Sequence, residues 1–280
     1  MTATTSQAAP TEVTALPSRS KAADRHDVVA WFVGLSLAFL VAASAVSTVV
    51  PALLMVSLVF GPLAIAIVLA RREDGGIRGL LRTLTIRPVL ARWYLALLIP
   101  VLGSLAMVGL AVVLGAPSDH LFDELSPSAL IIPLVVAVPA FAEELAWRGF
   151  ALRRLLTATS PLKATLLLGI PWTAMHLALY LPGQSYADLA IWPIFAIIGS
   201  YSVLLSWVFI RTGGSVLMTG LVHALLNGTV SLSWGIDHAW EYRGVVFAVI
   251  AIGIVALGSL RRTSDHSTPT ATNPNREWIG

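Results

Sequence analysis

The chain has 280 residues, of which 56% are hydrophobic and only 12% charged, and its mean hydropathy is +0.81. That much apolar surface exceeds what one water-soluble core can absorb, which excludes a soluble globular protein and predicts an all-α, polytopic membrane protein. With no cysteine, the chain has no disulfide, thiolate metal site or cysteine nucleophile, and its net charge of +3 is spread over loops rather than gathered into a nucleic-acid-binding patch.

Residues 1–27 are rich in Ala, Thr, Ser and Pro, lack an apolar run, and read as a disordered tail. The run from Val28 to Val50 is too long for the core of a cleavable signal and reads as a retained first span. A second run, from Pro51 to Ala70, follows at once as the other arm of a tight hairpin. Next, Ile77, Leu80, Leu81 and Leu84 recur at helical spacing with Arg78 and Arg82 off the stripe. That pattern fits either an interfacial helix on anionic lipid or a solvated basic loop. Further apolar runs occupy Trp93 to Leu114, Ser128 to about Leu145, Ala164 to Leu181, Leu189 to Ile210, Ser215 to Trp234 and Gly244 to Leu260. The result is about eight spans, each near the ~20 residues that a hydrocarbon layer of ~30 Å requires. Residues 28–262 thus form one membrane domain, and 263–280 read as a second disordered tail.

Sorting the basic residues by side tests the number of spans. All but one of the 18 Lys and Arg fall on the side that holds both termini, among them Arg71, Arg72, Arg153, Arg154, Lys163 and Arg211. The other side receives only Arg243, and its loops carry Asp119, Asp123, Glu124, Asp188, Asp237 and Glu241. The positive-inside rule places both termini in the cytoplasm of a multi-pass cell-membrane protein.

Ionisable groups inside spans are costly and mark function by default. Here they are Glu143, Glu144, His176 and His223, with Asn227 as a polar companion and Arg148 just beyond the acids. Glu144 and Arg148 are spaced i, i+4 and can pair, which neutralises one acid while Glu143 points about 100° away. His176 follows Trp172 by one turn, so the indole can wall the site, and His223 and Asn227 project from one stripe of the seventh span. Counted inward from Arg153, Lys163 and Arg211, Glu143, His176 and His223 lie roughly 15, 20 and 18 Å deep. At a shared level, a carboxylate, two imidazoles and an amide can activate water and hold an oxyanion. Each has a plainer reading alone: a Glu can clasp two helices, a His can be satisfied by packing, and Asn commonly glues transmembrane helices. A proton-coupled transporter is a further alternative, against which stands the lack of paired, broken repeats.

Glu143-Glu144-x-x-x-Arg148, Trp172-x-x-x-His176 and His223-x-x-x-Asn227 resemble the three motifs of the CAAX-protease and bacteriocin-processing family of intramembrane endopeptidases, also called the Abi family. The resemblance runs from about Ser128 to Trp234, and Trp172 stands where the second motif more often has Phe. It implies proteolysis of membrane-embedded or lipidated, CAAX-like peptides, with the bilayer as partner and the site opening to the cytoplasm. Carried over, it makes Glu143 the base that activates water, assisted by His176, with His223 and Asn227 stabilising the oxyanion and Glu144, Arg148 and Trp172 shaping the site for substrate. Two His and one Glu also match a catalytic zinc pattern, so Glu143, His176 and His223 are the ligands if zinc is present. The absence of an H-E-x-x-H helix favours a metal-free glutamate mechanism. A non-catalytic scaffold or bacteriocin-immunity partner of the same fold is the alternative to an enzyme.

Overall fold

A computed structural model describes residues 19–47, 51–73, 76–84, 90–116, 128–233, 235–258 and 260. Among these every regular element is helical. The loop acids Asp119, Asp123 and Glu124, the basic residues Arg261, Arg262 and Arg276, and residues 1–18 and 263–280 of the expected tails lie outside them.

The first hairpin is α1 (Arg19–Ser47) and α2 (Pro51–Ala70). A short α3 (Gly76–Leu81) follows and tightens into a single 3₁₀ turn, Arg82–Leu84, so the segment with helical spacing is indeed a helix. Its Leu80 and Thr83 are buried, and a Cβ placed on Gly149 would lie 3.0 Å from Thr83 Oγ1, so the helix end rests on the protein. A 3₁₀ stretch, Ala91–Leu97, runs into α4 (Leu98–Val113). Helix α5 (Ser128–Glu144) passes without a break into a π-helix, Leu145–Leu152, and then into the short α6 (Arg153–Leu156).

Ser160 caps α7 (Pro161–Met175) through its Oγ, and Pro161 opens the helix where its missing N–H costs nothing. The helix tightens into 3₁₀ geometry at His176–Tyr180. Helix α8 spans Ile191–Arg211. Ser215 caps α9 (Val216–Gly228), which ends in a 3₁₀ turn, Thr229–Ser233, before α10 (Ala239–Ala256).

Seven of these helical stretches are long and apolar enough to cross a membrane. The α5–π segment, which carries the two acids and Arg148, forms a further helical rod beside them, and the chain is a polytopic membrane protein of about eight spans. The bundle is organised around α8 and α9, the two most deeply buried spans, with α5 against α9, α7 and α10 against α8, and α4 against α10. Outward faces are apolar, as in Val113, Ile170 and Ile252, because lipid rather than water surrounds them.

One boundary differs from the sequence reading in a way that matters. The last span begins at Ala239, not Gly244, so Arg243 is not a loop charge but a fully buried residue in the first turns of α10. The consecutive polar residues Glu241, Tyr242 and Arg243 depress local hydropathy and move the apparent start of the span past a cation that the fold encloses.

Candidate active site

The acids sit where the rod changes winding. Glu144 is the last residue of α5, and the next eight residues are π-helical and entirely buried. Single-turn π segments inside α-helices are frequent at functional sites, because widening the turn re-aims side chains that an α-helix would fix. Glu143 and Glu144 are both buried, as are Arg148, Trp172 and His223, while His176 and Asn227 are half-buried.

Glu144 is the hub of one set of contacts. Its Oε1 accepts hydrogen bonds from Arg148 Nη1 at 2.9 Å and from His223 Nδ1 at 2.9 Å. The expected Glu144–Arg148 pair therefore forms, and it extends to a residue on α9 that the spacing did not connect to it. Arg148 Nη2 in turn donates to Ser202 Oγ at 3.3 Å, tying the pair to α8. A carboxylate that receives an imidazole N–H fixes the orientation of the ring, and the opposite nitrogen, Nε2, is then the atom of His223 left to meet a substrate.

Trp172 is the hub of the other. Its Nε1–H donates to Glu143 Oε2 at 3.3 Å, its ring faces the guanidinium of Arg148 at 4.6 Å, and its centroid lies 5.2 Å from that of His176 and 6.0 Å from that of His223, both edge-on. Glu143 is thus not free of partners. The indole is more than a wall: it connects the carboxylate, the guanidinium and both imidazoles.

His176 stands at the junction of α7 and its 3₁₀ extension, with Nδ1 2.8 Å from the carbonyl oxygen of Trp172. A carbonyl only accepts, so Nδ1 carries the proton and Nε2 presents a lone pair. Asn227 lies one turn beyond His223 on α9, and its side chain has no hydrogen-bond partner among the described residues. Its amide is available to a ligand.

Six of the seven residues singled out from sequence are therefore joined by direct contacts, and the seventh shares the stripe of α9 that bears His223. Their donor types match zinc, but their placement does not. Among the described residues no three His, Asp or Glu side chains are disposed to hold a metal ion, and Glu143, His176 and His223 converge on the indole of Trp172 instead of on a common point. Chemically, the arrangement offers a carboxylate and an imidazole lone pair as proton acceptors beside an oriented imidazole and a free amide.

What the sequence did not disclose is a second buried polar cluster, at the C-terminal end of α9. It consists of Arg243, Tyr201, Ser104 and Thr229, and the signal for it was a lone Arg at the mouth of an apolar run. Tyr186 in the loop before α8 belongs near both clusters. Burial, with the neighbouring Tyr201 and the Glu143 carboxylate, pushes its phenol up to about 12, so it remains a neutral hydrogen-bond donor.

Residues 125–229, which include every member of the candidate site, match the family described as type II CAAX prenyl endopeptidase Rce1-like. The chain is also similar to CAAX prenyl protease 2 of Methanococcus maripaludis, at 29% identity over 100 residues, which is 33% of this chain and 37% of the relative. The chain thus spans little more than a third of the length of that relative. The match encloses the three motifs borne on the helices from α5 to α9, and over that segment the chain is similar to the Rce1-like type II CAAX prenyl endopeptidases.

Proposed function

We propose that the protein is an intramembrane endopeptidase that hydrolyses a peptide bond in membrane-anchored or lipidated, CAAX-like substrates. The observation that carries this reading is the pair of linked contacts in the bundle interior: Trp172 Nε1 on Glu143, and His223 Nδ1 on the same Glu144 oxygen that holds Arg148. Such groups are costly inside a membrane and are retained where they do chemistry.

Glu143 accepts a proton from water, with the Nε2 lone pair of His176 as second acceptor, while the water oxygen bonds to the scissile carbonyl carbon. The carbonyl oxygen becomes an oxyanion and takes hydrogen bonds from the Asn227 amide and from Nε2–H of His223 in its doubly protonated form. Glu144 and Arg148 hold His223 at the angle this requires. Collapse of the tetrahedral adduct breaks the C–N bond, and the proton taken up by Glu143 leaves with the amine. The positive-inside pattern supports an opening at the cytoplasmic face, where a lipidated C-terminal peptide would arrive. CAAX prenyl protease 2, whose name states its substrate class, supports a prenylated peptide as the first substrate to try.

The test is cleavage of a farnesylated CAAX peptide by the protein in nanodiscs. Glu143→Ala and His223→Ala are each expected to lower kcat by about 10²–10⁴, the range for a positioned acid–base group or oxyanion donor. Cleavage at the wild-type rate by either variant overturns the reading. Binding of the peptide without cleavage by the wild type supports a non-catalytic scaffold instead.

A further inference from the structure

We propose that Arg243 is a positioning residue for this site: its guanidinium grips the C-terminal end of α9 and sets the register of the helix that presents His223 and Asn227. The inference rests on the peptidase reading for its functional consequence and on the following geometry for its substance.

Arg243 is fully buried, and among the described residues no carboxylate is one of its hydrogen-bond partners. Its Nε donates to Tyr201 Oη at 2.7 Å. Nη1 donates to Ser104 Oγ at 3.0 Å and to the Thr229 carbonyl at 3.2 Å. Nη2 donates to the Leu226 carbonyl at 2.9 Å and to Thr229 Oγ1 at 3.1 Å. Five N–H groups therefore meet five neutral oxygens on α4, α8 and the end of α9. The rings of Phe247 and Tyr201, 5.1 and 5.8 Å from Cζ, flank the charge.

A cation without an anion is tolerated in a membrane interior only where oriented dipoles replace its hydration. Here the dipoles are those of α9. The last carbonyls of a helix have no intrahelical partner and carry the negative end of the macrodipole, so a cation at that end is favoured twice, as a hydrogen-bond donor and as a charge. The Leu226 carbonyl is half of the peptide unit whose nitrogen belongs to Asn227. Fixing that oxygen fixes the peptide plane from which Asn227 departs, and His223 lies one turn before it on the same stripe. Thr229 Oγ1 closes the arrangement by donating to the Leu226 carbonyl at 3.2 Å while accepting from Arg243.

The expected oxyanion donors are thus held from both ends: His223 laterally by Glu144, and the Leu226–Asn227 peptide from below by Arg243.

The full-length protein in nanodiscs tests this by amide hydrogen exchange and, in parallel, by steady-state kinetics with a farnesylated CAAX peptide, for wild type, Arg243→Gln, Arg243→Lys and Thr229→Val. Arg243→Gln is expected to accelerate exchange at residues 224–230 by about tenfold or more, with α5 and α7 unchanged, and to lower kcat by about tenfold or more with KM within about twofold. Arg243→Lys restores part of both, because one ammonium can reach the Leu226 carbonyl but not all five acceptors. If Arg243→Gln does not fold, Arg243→Lys and Thr229→Val carry the test, each expected to loosen residues 224–230 selectively. Wild-type exchange at those residues in the folded variants, or uniform acceleration across all helices, overturns the proposal. If the wild type cleaves nothing, the peptidase reading falls while the exchange pattern still decides on Arg243.

Discussion

Glu144 and His223, 79 residues apart in the chain, meet through a 2.9 Å hydrogen bond on the carboxylate oxygen that also pairs with Arg148. One acid therefore serves two masters, steadying an imidazole on α9 and neutralising a guanidinium on its own rod.

Removing the acid should separate those two effects. Glu144→Ala leaves Arg148 buried without its anion, a change expected to cost about 3–5 kcal/mol of stability. Glu144→Gln keeps the shape, and its amide oxygen can still accept from Arg148 and His223. It should unfold at a Tm between wild type and Glu144→Ala while peptide cleavage falls about 10-fold or more. Equal Tm values for all three proteins would refute the buried pair.

Trp172→Phe keeps an aromatic ring but deletes the N–H that reaches Glu143 Oε2. Loss of one hydrogen bond to a charged acceptor is expected to lower stability by about 1.5–3 kcal/mol. A larger fall in kcat than rise in KM would show that the indole holds the base; a change confined to KM would make it a substrate wall only.

Gly220→Ala probes the crossing of α5 and α9. A Cβ there would overlap the Phe141 ring, so the ring must swing or the helices must part. Overpacking of this kind costs about 1–3 kcal/mol, and parting the helices would also separate Glu144 from His223. Loss of activity together with a lower Tm is the expected result.

Chelation addresses the metal directly. Because no three His, Cys, Asp or Glu side chains among the described residues are placed to hold one ion, cleavage should persist after treatment with a strong chelator. Activity abolished by the chelator and restored by added zinc would contradict this.

Outside the site, Glu73 and Arg154 join the end of α2 to α6 through Arg154 Nε at 3.0 Å and through Arg154 Nη2, with Arg154 stacked 3.6 Å above the Phe150 ring. The pair is partly exposed, so Glu73→Ala should cost no more than about 1 kcal/mol, and the difference should shrink in high salt.

Much of the bundle is legible in the sequence because lipid imposes a simple rule: apolar runs of membrane length span, and basic residues sort to one side. The candidate site is legible for the converse reason, since Glu143, Glu144, His176 and His223 violate that rule at matched depth. Three features are hidden. The π-helix from Leu145 to Leu152 leaves no trace, because one added residue per turn over so short a stretch does not alter a hydrophobic pattern read at low resolution. The Glu144–His223 bond depends on how α5 lies against α9, which spacing within either helix does not contain. Arg243 is concealed by its neighbours, whose polarity disguises the start of α10.

The winding change after Glu144 makes this protein sensitive to the number of its residues as well as to their kind. Excising one residue, such as Ala146, would let the wide coil relax to ordinary α geometry without loss of any reacting group, yet it would cut the separation of Glu144 and Arg148 from four residues to three. Arg148 would then approach Glu144 from the other flank of the same face and lose its aim at Trp172 and Ser202, and a machine whose components were all retained would be mistimed by a single missing tooth.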